Sequence, residues 1–181
     1  MSQSPAWWTA ELRGELSQGD VFEDIPIVLA PRPIQYVRPQ TFSKGVKGWV
    51  SSSSPFKDPS GRTVLFAAGH VSLAMAISHD CEFDDQQGSK SILCARIELL
   101  SSAPPEHQPI IARQQNLPRM YLPQLPGIGD CYANLRSVAT IDRQVIQNAK
   151  RIACMTSEAR EFLQARLVTF FLRREFPQQK P

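Results

Sequence analysis

Three side chains capable of chemistry stand together in Ser78-His79-Asp80-Cys81-Glu82. In an extended chain an imidazole and a thiol two residues apart lie on the same side. So placed, His79 can activate Cys81 as a nucleophile, or the two can begin a zinc site, which takes nitrogen and sulfur ligands. A zinc site needs three or four convergent ligands, with His70 and Cys94 the nearest others to join. The spacing itself supplies two, so neither a metal nor another cofactor is expected. A second set follows in Cys94-Ala95-Arg96-Ile97-Glu98, where alternation puts Arg96 and Glu98 on one strand face with Cys94. Together with His70 or His79 they offer the base, acid and cation that cleavage of an RNA phosphodiester requires. The same letters also describe a solvated Arg-x-Glu pair beside a small buried cysteine.

These residues sit where apolar runs open into polar turns. Leu73–Ile77 ends at the His79 turn and Ser91–Leu99 restarts beyond it, which reads as strand, turn, strand. Upstream, Val21–Leu29 reads as a strand and Thr63–Ala68 as another. Between them, residues 31–61 are broken by five prolines and a four-serine run, and read as a long loop insertion with one hairpin. Lys47, Trp49 and Arg62 belong to a basic and aromatic mixture there that suits single-stranded nucleic acid, and equally a solvated loop with anchoring aromatics. Trp7, Trp8, Leu12 and Leu16 predict a short N-terminal helix over 6–17. Asp130–Ile141 reads as a strand, with a short helix near 142–150. The clearest element is a C-terminal helix over 156–174, capped by Thr156 and apolar at Ala159, Phe162, Leu163, Leu167, Phe170 and Phe171.

The chain has 181 residues, 42% of them apolar and 20% charged, with a net charge of +3, which is the profile of one ordinary globular domain. So mild a positive charge permits contact with nucleic acid without arguing for it. The four cysteines contain no C-x-x-C, which excludes a zinc ribbon, and reduced thiols are expected. Met1–Trp8 lacks an export signal and no run is long enough to cross a bilayer, so a cytoplasmic protein without a membrane partner is expected.

The order of these pieces resembles the PemK/MazF toxin-like family. Gly19-Asp20-Val21 is similar to the family's G-D-[IV] opening, and Ala74–Asp80 to its apolar strand ending in Ser and a polar pair. Ile92–Glu98 is similar to the strand after it, and Val138–Arg143, Arg151–Glu158 and the helix to its closing pattern. The resemblance covers roughly half the chain. It implies an α+β fold, a small SH3-like β-barrel with an elaborated first loop and a C-terminal helix, and a homodimer is compatible with it. Members that cleave RNA carry an Arg-Pro pair where this chain has Ser72-Leu73, and a threonine near Glu98. Neither is present here.

These residues together lead to a diverged, non-catalytic toxin-like module that binds RNA or a protein partner in a groove between 31–61 and the 79–85 turn. His79, Cys81, Glu82, Arg62, Lys47 and Trp49 are its binding residues. The alternatives are an endoribonuclease using His70, Glu98 and Arg96, and a protein interaction module that never meets nucleic acid.

Overall fold

In the computed structural model, residues 6–29, 35–42, 45, 47–52, 54, 56, 57, 59, 63–66, 68–83 and 90–172 are described. The elements in chain order are β1 (Val21–Leu29), β2 (Gln35–Thr41), β3 (Lys47–Ser52), β4 (Phe56–Lys57), β5 (Thr63–Phe66), β6 (Ala68–Ala76), β7 (Ser91–Leu99), α1 (Gln108–Ala112), β8 (Arg119–Leu125), β9 (Gly129–Asp142), α2 (Arg143–Asn148), β10 (Arg151–Ala153) and α3 (Ser157–Leu172). The class is α+β. Its contacts divide into two compact units, residues 1–26 with 71–181 and residues 27–70.

The larger unit is built on a six-stranded sheet in the order β10-β1-β6-β7-β9-β8, with antiparallel pairing at β1–β10, β6–β7, β7–β9 and β8–β9. Val21, Met75, Ala95, Ile97, Met120, Leu122 and Ala133 meet Ala159 and Leu163 of α3 in its main core. Alternation explains the pattern: Ala95 and Ile97 face α3, while Arg96 and Glu98 face the other way. Among the described residues no strand pair joins β8 to β10, so the sheet is not a closed barrel. One residue nevertheless reaches both edges. The Trp8 backbone bridges to Met155 just past β10, and its indole Nε1 donates to the Pro123 carbonyl on β8 at 2.7 Å.

The helix expected over 6–17 does not form. Thr9 N–H donates to the Cys154 carbonyl and Thr156 N–H to that of Trp7, so the segment lies extended beside the chain after β10. The Arg151 guanidinium then donates to the carbonyls of Arg13, Gly14 and Glu15, holding them in the non-helical segment. Tertiary partners outbid a short helical pattern.

Gly19-Asp20-Val21 has a physical reason for each letter. Gly19 has φ +87°, and a Cβ there would stand 2.8 Å from Met155 Sδ. Fully buried Asp20 accepts from Ser17 N–H at 3.0 Å and pairs with Arg151 at 2.8 Å, and Val21 enters the core.

The smaller unit contains a four-stranded sheet, β3-β2-β5-β4, where a loop over 31–61 was expected. Pro39 pairs with Trp49 across β2 and β3, so proline lies within a strand. Gln108–Ala112 and Arg119–Leu125, which also contain prolines, form α1 and β8. α3 starts as expected, with Ala159 N–H donating to Thr156 Oγ1 at 3.2 Å. Its inward face differs from the expectation: Phe162 and Phe171 are exposed, while Arg166 is buried. The Arg166 guanidinium donates to the carbonyls of Gln114, Asn116 and Arg119, fastening α3 to the loop after α1. Residues 173 and 174 of the expected helix lie outside the described residues. Among the described residues no helix is long and apolar enough to cross a membrane.

Candidate site at the Ser78–Phe83 turn

Where β6 ends, the chain enters a turn whose last part, Asp80–Phe83, is a single 3₁₀ turn. Two short polar side chains hold it. Buried Ser78 accepts from Leu93 N–H at 2.9 Å. Asp80 accepts from Gln18 N–H at 2.7 Å and from Arg160 of α3 at 3.2 Å. The intervening His79 and Cys81 are exposed, and the His79 Nδ1 to Cys81 Sγ distance is 3.2 Å. Cys81 N–H also donates to His79 Nδ1 at 3.3 Å. The expected pairing of imidazole and thiol is therefore present. Of the four cysteines, Cys81 alone is exposed. Burial pushes the thiols of Cys94 and Cys131 up to about 12 and about 11, and that of Cys154 upward as well.

On the Asp80–Cys81 side lies a cavity of about 1070 Å³. Four arginines line it with those two residues: Arg13, Arg143, Arg151 and Arg160. Each is fastened to the protein. Arg13 donates to the Met155 carbonyl, Arg143 to that of Phe83, Arg151 to Asp20 and Arg160 to Asp80. Fixed guanidinium groups lining a cavity favour an anionic guest, because their orientation is settled before it arrives. The sequence reading missed all four arginines. They come from four separate elements, the segment before β1, α2, β10 and α3, and short-range spacing carries no trace of their convergence.

Glu98 belongs to a different place. It lies five residues beyond Leu93 on β7, roughly 17 Å along the strand. Its carboxylate accepts from Tyr132 Oη at 2.8 Å and from Asn134 Nδ2 at 3.0 Å on the neighbouring β9. Beside it, Arg119 lies 5.5 Å from the Tyr132 ring centroid, with Nη1 3.3 Å from His107 Nδ1. Burial is the main cause of the raised Tyr132 pKa, followed by the bond to Glu98. Tyr132, His107 and Arg119 were not anticipated from the sequence. Arg96 faces Asn134 across the β7–β9 ladder, and its Nε is buried without a hydrogen-bond partner among the described residues.

The remaining sequence candidates scatter. Glu82 borders a second cavity on the other side of the turn. Lys47 and Trp49 share the exposed face of β3, and His70 is exposed at the end of the smaller unit. Arg62 lies outside the described residues. Among the described residues no group of three or more His, Cys, Asp or Glu is placed to hold a metal ion. No protein-family model matches the sequence, and no curated protein matches it.

Proposed function

We propose that the larger unit is an opened, divergent relative of the PemK/MazF-like barrel that binds single-stranded RNA without cleaving it, beside the Ser78–Phe83 turn. The observation that carries this reading is the cavity where Arg13, Arg143, Arg151 and Arg160 surround Asp80 and Cys81. Guanidinium groups match phosphate in charge and geometry, and these are held in place by acceptors of the chain itself. Trp8 supports kinship with a barrel, because this one residue touches both edges of the open sheet. In the smaller unit Lys47 and Trp49 offer a separate basic and aromatic surface of the kind that stacks bases.

Fluorescence anisotropy of a labelled single-stranded RNA, repeated over a range of salt concentrations, tests the reading. Three phosphate contacts give a slope of about −2 in log K against log salt, with the RNA intact on a gel. No binding, or binding indifferent to salt, contradicts it. One further reading has its own observation: Glu98, with Tyr132, Arg119 and His107 around it, is equipped for phosphodiester cleavage. Cleavage that disappears in Glu98→Gln replaces the binding reading with an endoribonuclease.

A further inference from the structure

The other side of the turn has the opposite character. Ser78, His79 and Glu82 border a cavity of about 740 Å³, within the range of small-molecule sites. The end of α3 supplies an apolar wall, Leu167, Val168 and Phe171. The latter two are exposed, and Phe171 packs edge-on against Phe170 with 5.1 Å between the ring centroids. Gln18 also lines the cavity and is only 4% exposed. Its Nε2 donates to the Ile77 carbonyl at 2.7 Å, whereas its Oε1 is buried with no hydrogen-bond partner among the described residues. Buried amide oxygens are nearly always paired, so this one marks a place for a donor. Among the described residues that line it, Glu82 is the acidic group and none is an arginine or lysine.

We propose that this cavity binds a small amphipathic amine. The apolar body lies on Leu167, Val168 and Phe171, and the N–H donors are directed to Gln18 Oε1 and the Glu82 carboxylate. Apolar lining with a few convergent acceptors selects for an apolar body with a donor head, and the carboxylate selects a cation over a neutral donor. The same features disfavour a phosphate, which the arginine side of the turn accommodates. The two sites are therefore chemically distinct, and this one stands whether or not RNA binds the other.

The test is an NMR titration of the full chain with 2-phenylethylammonium, alongside 2-phenylethanol and 3-phenylpropanoate as isosteres. The ammonium is expected to give saturable shifts at the Leu167 and Val168 methyls and the Gln18 side-chain amide. Glu82→Gln weakens it about fivefold without changing the alcohol, and Val168→Trp, an exposed position that fills the cavity, abolishes both. Three results overturn the proposal: no saturable shift, equal binding of the propanoate, or an ammonium affinity indifferent to Glu82→Gln. Shifts confined to the arginine cavity overturn it too.

Discussion

One turn separates two cavities that differ in almost every physical respect. Toward Asp80 and Cys81 the walls are arginines, each anchored by a carbonyl or carboxylate of the chain. Toward His79 and Glu82 the wall is the apolar end of α3, with one buried amide oxygen left over. The same helix serves both sides, since Arg160 comes from its first turn and Leu167, Val168 and Phe171 from its last ones. Placing charge at one end of a helix and apolar bulk at the other lets a six-residue turn present two chemistries. Asp20 and Arg151 sit beneath this arrangement, because they fix the 13–18 segment that contributes Arg13 to one cavity and Gln18 to the other.

The largest way to break the contrast is to remove that common support. Asp20→Ala leaves Arg151 without its carboxylate and is expected to cost about 3 kcal/mol in urea unfolding. Both cavities then lose their shape together. Arg166→Met removes the donor to the carbonyls of Gln114, Asn116 and Arg119, of which Asn116 keeps the Arg119 N–H, and about 2 kcal/mol is expected from the same measurement. A mutant as stable as the wild type in either case removes the proposed anchoring. Thr156→Ala, which deletes the cap of α3, is expected to lower stability by about 1 kcal/mol and to disturb both cavities mildly.

The parts legible in the sequence were those carried by short-range pattern. β1, the α3 cap and the β6–turn–β7 unit follow from alternation, a capping threonine and a polar interruption. The α+β class was legible from their order. What stayed hidden depends on distant partners. The 6–17 segment has helical spacing, yet Arg151 and the chain after β10 claim its backbone. Pro39 read as a breaker but lies in a strand opposite Trp49. Arg166 falls on a face that looked apolar, because acceptors from residues 114–119 meet it there. At the site, His79 and Cys81 were readable as a pair, whereas Asp80 proved to be the structural link through Gln18 and Arg160. Glu98 was readable as a candidate, but the Tyr132 and Asn134 donors that occupy it lie more than thirty residues away in sequence.

A smaller effect sharpens the account of the thiols. With Cys94 and Cys131 pushed up to about 12 and about 11 by burial, mildly alkaline iodoacetamide should label Cys81 first in the folded chain. Peptide mapping that finds another cysteine modified as fast contradicts the packing described.

The smallest expected effect lies away from the turn. Asp130 accepts from Gln124 N–H at 3.0 Å, the main cause of its lowered pKa. A depressed folded-state value stabilises above the ordinary carboxylate range and is lost as pH falls through the folded value. Asp130→Asn should therefore flatten slightly the acid limb of the stability curve and leave both cavities unchanged. An unaltered acid limb contradicts that assignment.

The most direct test of the central claim compares RNA affinity in Arg160→Gln and Arg113→Gln. Arg160 lines the arginine cavity, and glutamine preserves a donor to Asp80; Arg113 is exposed just after α1 and does not line it. Both variants lose one positive charge. The account predicts that Arg160→Gln weakens single-stranded RNA binding about fivefold and reduces the salt slope by about 1, while Arg113→Gln changes neither. Equal losses in the two variants, or none in Arg160→Gln, would contradict it.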